Sequence, residues 1–567
     1  MLSFLLATGL GGCSLCQRVS AMSPSERAQF YTVLGVVFAA LIVGYALYRL
    51  VRAPLLPRIV TPHCQWPVIG MLVPLQRNFH RFSAWRTEVT KETFEQIRQK
   101  QMHQLMLAGR DGADIDKLPT PALMQWSLPL QPSPFVEVLT APGLKFLLGD
   151  GFTSFNKGQV LHDVFEEMLG SGIFRADGEP WRQQRKVASH LFSFSKLNDY
   201  MFTVFTNECD KLVSYLAGVA RSGETIDFQR AMFDFTFDSI CDIAFGVKMH
   251  QLGAKSAHPF CVAFDELQHL IMARSVTAPL WWKTKRRWGL GDEKIFKQHV
   301  ATINEFIAGI VQERRKHPDE FNTDDLLSLF LQDAQKRGEE LTDEHLRDLI
   351  LNFMIAGRDT TATALTWLFY AFAQNPSAEA ACVREIRENL SPSVQPSSDA
   401  VKGLVQLEAA FMESTRLWPP VPSDMKECVK EVQAWPGTNA RVPVGTVLIY
   451  TPYMLHRLPQ FYKSTSGLQD WAADCTEFRP ARWLVPDGDS ASGLRVLQPS
   501  AYDFPSFNAG LRLCLGRSMA ILEGKIVAAS VLQQFHIRLQ PGFEPKEKVT
   551  VVLAMRDGMP VTVEMRK

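Results

Sequence analysis

One cysteine in this chain stands in a setting suited to a large partner. The stretch FNAGLRLCLG, residues 507–516, sets Cys514 between Arg512 and Gly516, with Gly510 four residues before it and Phe507 opening the run. From Leu515 onward, Leu515, Met519, Leu522 and Ile526 fall on one helical face, so the cysteine sits just ahead of a helix. The positive end of a helix and its unpaired N–H groups favour a negative sulfur, hence a thiolate. Gly510 and Gly516 let the backbone pass close to a flat ligand with no side chain in the way, and Arg512 can meet an anionic group on that ligand. A lone cysteine is otherwise a small buried hydrophobe.

Three further stretches carry groups that do chemistry or hold charge. WRQQR, residues 181–185, puts the Trp181 indole N–H and the Arg185 guanidinium one helical turn apart. AGRDTT, residues 356–361, places an acid, Asp359, beside a hydroxyl, Thr360, next to the small Gly357. A threonine inside a helix ordinarily bonds back to the carbonyl four residues earlier. ESTR sets Glu413 and Arg416 at i, i+3, close enough to pair on one helix face.

Phe507, Gly510, Arg512, Cys514 and Gly516 match F-x-x-G-x-R-x-C-x-G, and on this signature the chain resembles the cytochrome P450 monooxygenases over roughly residues 60 to 567. The resemblance implies a cytochrome P450 fold and haem b, with the Cys514 thiolate as axial ligand of the haem iron. It implies that Trp181 and Arg185 contact the haem propionates, as Arg512 does from the other side. Lys426 stands where many relatives carry a propionate-binding arginine. Thr360 is expected to deliver protons to dioxygen, with Asp359 feeding it. Arg482, from FRPARW, is expected to close a buried structural triad with Glu413 and Arg416 that holds the proximal face.

The elements that position these residues read mainly as helix, with minor sheet. Residues 227–246 have apolar positions at helical spacing and a closing glycine; Thr342 can cap a long helix running to Phe372 before Asn375-Pro376 stops it. Residues 403–417 are helical up to Pro419-Pro420. Strands are expected over residues 441–452 and in the closing KVTVVLAMRDGMPVTVEMRK, where Asp557-Gly558 can turn a hairpin. Residues 76–567 read as one haem-thiolate catalytic domain, a helical body plus a small β-rich region.

Ahead of it, residues 1–29 form an apolar or targeting segment and residues 30–50 a transmembrane anchor. Residues 51–75 form a proline-rich linker. Arg49, Arg52 and Arg58 after the anchor outnumber Arg18 and Arg27 before it, which puts the following domain in the cytosol of a single-pass protein. The expected location is the endoplasmic reticulum membrane. Cys13 and Cys16 have CxxC spacing but no partner pair nearby, and the ten cysteines give no disulfide framework. A net charge of +1 excludes a general nucleic-acid binder.

PPVPSDMK (residues 419–426), residues 474–484 and PLWWKTKRRWGLG (residues 279–291) resemble the clan of fatty-acid omega-hydroxylases of plants and yeasts. The last, a loop with Trp281, Trp282 and Trp288 among Lys283, Lys285, Arg286 and Arg287, suits a membrane interface, or else a basic surface loop over buried tryptophans. KSTSGLQD, residues 463–470, looks like an insertion, and Ala472 replaces a glycine usual in the clan. The expected reaction is insertion of one oxygen atom from O2 into a C–H bond of a long-chain fatty acid at or near its end. Electrons come from NADPH through a separate NADPH-cytochrome P450 reductase. The alternatives are hydroxylation or methyl oxidation of a sterol or other membrane lipid, an O2-independent haem isomerase or dehydratase, and a non-enzymatic haem carrier. Asp359-Thr360 argues against the last two.

Overall fold

The computed structural model describes residues 71–566, except 108–120, 127–134, 193–199, 317–324, 392–396, 489–491 and positions 276, 278 and 439, together with isolated positions before residue 71. Cys13, Cys16, most of the expected anchor and most of the linker lie outside the described residues. Among the described residues no helix is long and apolar enough to cross a membrane.

The helices that position the site run in chain order as α1 (Phe82–Leu107), α2 (Gly158–Leu169), α3 (Gly178–Leu191) and α4 (Phe202–Ser222). They continue as α5 (Phe228–Phe245), α6 (Pro259–Ser275), α7 (Pro279–Trp288) and α8 (Asp292–Lys316). The last four are α9 (Asp343–Met354), α10 (Thr360–Gln374), α11 (Val405–Leu417) and α12 (Arg517–Gln534). Capping follows the local chemistry. The Thr342 hydroxyl accepts from the His345 N–H at the start of α9, and Gly246 ends α5 in the left-handed region that glycine adopts without strain. α5 and α10 are buried nearly all round, which places them at the centre of the bundle.

The helix expected from Thr342 to Phe372 is present without a break and runs to Gln374, but it is not uniform. Residues Ile355–Asp359 form a π turn between α9 and α10, a widened turn of the kind found at functional sites. The wide turn changes which residues face inward. Ala356, Gly357 and Thr360 are partly accessible, while Arg358 and Asp359 are buried on the other side.

The main sheet has strand order β1-β2-β6-β5-β3, from β1 (Leu123–Trp126), β2 (Phe135–Val138), β3 (Phe155–Asn156), β5 (Asp424–Cys428) and β6 (Val447–Tyr450). Among these strands only β2 and β6 run parallel, and β7 (Leu484–Pro486) pairs with β8 (Leu494–Val496) in a separate ribbon. Of the strand expected over residues 441–452, β6 forms, and Val442 contributes an isolated bridge to Val432. The C-terminal hairpin is elsewhere than expected. β10 (Glu547–Val549) pairs with β11 (Leu553–Met555), whereas β12 (Pro560–Met565) joins β4 (Ile226–Asp227) and β9 (Phe535–Leu539). Alternating Val561 and Val563 are buried only in that register, so a distant partner wins over the local turn. Asp557-Gly558 instead bends the chain past Asp227, whose carboxyl would lie 2.4 Å from a Gly558 Cβ.

Two apolar cores result, one among the helices and one beneath the main sheet, and Phe507 packs against both. The cysteine stretch therefore sits at their seam. Residues 279–288 are helix α7 rather than loop. The expected insertion is packed rather than loose: Thr465, Leu468 and Trp471 are buried, and Trp471 meets Trp483 edge-on at 4.9 Å.

Candidate active site

Cys514 lies immediately ahead of α12, its N–H donating to the Phe507 carbonyl at 2.9 Å. The side chain is exposed, yet burial is the largest influence on its thiol and pushes it up. Both hold together when the exposed surface is the wall of an interior space. The Gly516 N–H and the cations Arg185 and Arg517 oppose burial without overcoming it. The helix-end N–H groups favour the thiolate, as expected, and desolvation of the charged form outweighs them. A metal cation bound to the sulfur would supply the missing positive charge.

The two glycines differ. A Cβ on Gly516 would meet no atom closer than 3.7 Å, so its small size leaves open space beside the sulfur. Gly510 has φ +60° and its Cβ would stand 1.9 Å from the Leu148 carbonyl oxygen, so glycine there is required by backbone packing. Gly357 likewise serves close approach, since its Cβ would overlap the Ile240 side chain on α5.

Around the cysteine the structure gathers a buried basic cluster. Arg185, on α3, donates to the Leu513 carbonyl at 2.8 Å, which ties α3 to the cysteine stretch. Arg512 stacks 4.2 Å from the Trp181 ring centroid and donates to Asp177 Oδ1 at 2.7 Å and to the Ala176 carbonyl at 2.9 Å. Its Nε is buried without a partner among the described residues. Lys426 Nζ is 3.2 Å from Asp424 Oδ2, and Lys157 Nζ is 3.3 Å from both oxygens of the same carboxylate. Tyr450 and Asn508 also donate to Asp424. Asp424 is held well below the usual carboxylate range by Lys157 and Lys426, against the penalty of burial. Lys426 is pushed down to about 7, mainly by burial.

Three buried cations face two carboxylates here, Asp424 and Asp177. An anionic group is what such an excess binds. The unsatisfied Arg512 Nε, the cationic excess and the open side of Cys514 fit a haem, with its two propionates toward Arg512 and the lysines.

The distal candidates lie at the π turn. The Thr360 hydroxyl donates to the Ala356 carbonyl at 2.6 Å, which leaves its lone pairs toward accessible space. Asp359 is fully buried and does not reach for Thr360. Its Oδ1 accepts from Arg358 at 2.8 Å and its Oδ2 from Gln268 Nε2, on α6, at 2.6 Å. Burial raises this carboxyl to about 7, against the pull of Arg358.

Glu413, Arg416 and Arg482 come together with no side-chain exposure. Glu413 accepts from Arg416 Nε at 2.7 Å, from Arg482 Nε at 2.9 Å and from the Trp483 indole at 2.9 Å. Arg416 in turn donates to the carbonyls of His456, Cys475 and Glu477. One carboxylate thereby fastens α11 to the stretch that precedes the cysteine.

Sequence reading missed Lys157, Asp424, Gln268 and Glu523. Asp424 carried a signal, since it shares a strand face with Lys426 at spacing two. So did Glu523, a lone acid in the apolar run of α12, now buried and raised to about 8 by desolvation. Lys157 and Gln268 carried none, because their partners are distant in the chain.

The profile described as Cytochrome P450 matches residues 124–559. Cytochrome P450 CYP94D108 of Paris polyphylla is 33% identical over 443 residues, 76% of this chain and 84% of that protein. Cytochrome P450 94A1 of Vicia sativa is 29% identical over 521 residues, 90% of this chain and 91% of its own length. Cytochrome P450 86B1 of Arabidopsis thaliana is 32% identical over 440 residues, 74% of this chain and 75% of that one.

Proposed function

This chain belongs to the cytochrome P450 family, and from that premise we propose that it is a membrane-bound haem-thiolate monooxygenase hydroxylating long-chain fatty acids at or near the terminal carbon. The observation that carries the reading is Cys514, a single sulfur at the head of α12 opening on interior space beside a buried cationic excess. The resemblance of PPVPSDMK and residues 474–484 to the fatty-acid omega-hydroxylase clan supports the fatty-acid choice.

Haem, when bound, supplies the activation of O2 and the insertion of one oxygen atom into a C–H bond. The protein's own groups bind and orient. Cys514 would hold the iron, and Arg512, Lys426 and Lys157 would hold the propionates. Trp181 stacks on Arg512 and keeps its guanidinium in place. Thr360 Oγ1 holds and passes a proton at the rim of the π turn, and Asp359, which does not contact it, is the acid that replenishes it by way of water. Electrons would come from NADPH through a separate reductase docking near Cys514.

The endoplasmic reticulum location, with the domain on the cytosolic side, rests on the apolar residues 30–48 and on α7. There Leu280, Trp281 and Trp288 are 79%, 44% and 69% exposed among cations, a composition suited to a lipid headgroup layer. Lys283 and Arg286 are partly neutralised by Asp163, Glu166 and Glu167 of α2.

The test has two arms. The reduced, carbon-monoxide-bound protein should show the red-shifted Soret band of thiolate-ligated haem, and its absence refutes the ligand assignment. Titration with fatty acids and sterols side by side should shift the spin state with fatty acids. A shift with sterols alone refutes the substrate reading.

A further inference from the structure

Gln268 is buried in α6 at 2% exposure and donates from Nε2 to Asp359 Oδ2 at 2.6 Å. Its carbonyl oxygen, Oε1, has no hydrogen-bond partner among the described residues. A buried amide oxygen without a donor costs about 1–3 kcal/mol. An apolar residue of the same length would avoid that cost, so the amide calls for a use. The charged and titratable groups around the pair are Arg358 in the π turn, Asp234 and Arg230 on α5, and Asp265 and Cys261 on α6. Arg358 bridges Asp359 to Asp265, at 2.8 and 2.7 Å.

We propose that Gln268 is a positioning residue whose amide holds Asp359 in place in both of its protonation states. Toward the carboxylate it donates from Nε2. After a half-turn about its terminal side-chain bond, Oε1 accepts from the carboxyl O–H. That bond joins an sp³ to an sp² carbon, with a broad two-fold profile, and the two ends of the amide are nearly equal in size. Neither a leucine nor a cation offers this, since leucine binds neither state and a cation binds only the ionised one. The step moves no electrons. Asp359 gives up its proton to water that carries it to Thr360 and becomes a carboxylate, the amide turns, and water returns a proton. The raised pKa of Asp359, about 7, keeps both states populated near neutrality and supports this use. The inference rests on the reading of Asp359 and Thr360 as the proton route.

The experiment uses the full-length enzyme with its reductase and one fatty acid that shifts the spin state. It compares Gln268→Leu, Gln268→Lys and Asp265→Asn, with product and peroxide measured per NADPH from pH 6 to 9. Soret position and substrate affinity serve as controls. Gln268→Leu leaves Asp359 without this partner in either state, so coupling should fall several-fold at every pH while the midpoint of the pH dependence moves little. Asp265→Asn removes a negative charge that raises Asp359, so its midpoint should move down. Gln268→Lys should pin the carboxylate and cut coupling several-fold with the Soret band and affinity unchanged. An independent readout is the infrared stretch of the protonated carboxyl, assigned by its loss in Asp359→Asn, which should shift in Gln268→Glu. Wild-type coupling at every pH in both Gln268→Leu and Gln268→Lys overturns the inference. So does an unmoved carboxyl stretch in Gln268→Glu, whether or not the first two variants load haem. If Thr360→Ala fails to uncouple, the proton route itself is wrong; if it uncouples while the Gln268 variants are inert, only the present inference falls.

Discussion

Glu413→Ala tests the part of the architecture that needs no ligand. Removing this carboxylate deprives two fully buried guanidiniums, Arg416 and Arg482, of their shared counter-ion, and leaves the Trp483 indole and the Arg479 N–H without an acceptor. Breaking a buried pair by removing one partner costs about 3–5 kcal/mol. Three backbone carbonyls still accept from Arg416 and Asp474 still pairs with Arg482, which keeps the loss within that range. At about 2.1 cal/mol/K per residue, a domain of about 490 residues has an unfolding entropy of about 1 kcal/mol/K, so the global midpoint falls by only about 3–5 °C. The sharper assay is the temperature at which the carbon-monoxide Soret band of the thiolate form is lost, because the triad clamps the approach to Cys514. That loss should precede global unfolding in Glu413→Ala and coincide with it in the wild type. The pH dependence has a definite sign. The folded-state pKa of Glu413 lies below its usual 4.5, so its stabilisation is present above pH 4.5 and lost as pH falls through the lower folded value. Equal Soret stability in variant and wild type across that range would refute the clamp.

Thr360→Ala should leave the Soret band intact while product per NADPH falls several-fold and peroxide rises, as read in a coupled oxidase assay. Gly510→Ala meets a positive φ and the Leu148 carbonyl at once, so haem loading should fail, as read from the haem-to-protein absorbance ratio. Burial pushes Lys426 down to about 7, and bound carboxylates would raise it. Haem affinity should therefore fall as pH rises above about 7, and Lys426→Met should flatten that dependence in a haem-transfer assay.

Local pattern carries local structure, and it does so here at several places. The Thr342 cap, the Gly246 stop, the helix after Cys514 and the i, i+3 pair of Glu413 with Arg416 depend on neighbours within a turn or two. They were legible from residue order. The turn at Asp557-Gly558 was not, because strand pairing is a contest between near and far partners, and β9 offered β12 the better burial. The π turn at Ile355–Asp359 was likewise not legible, since α10 is apolar nearly all round and so hides the rotation that one extra residue brings. Residues 279–288 read as a loop because four cations among three tryptophans leave no apolar run, whereas packing against α8 makes them helix.

By itself, then, residue order determined the mainly helical fold, the cysteine signature and the identity of the acid, hydroxyl and basic groups, because spacing along one element fixes which side chains share a face. Only the tertiary structure decided what each group meets. It turned Asp359 toward Gln268 rather than Thr360, joined Lys157 to Asp424 across 267 residues of chain, and gave Gly510 to the Leu148 carbonyl. Burial and charge pairing, which set whether these groups hold a proton, arise from elements far apart in the chain, and no local pattern encodes them.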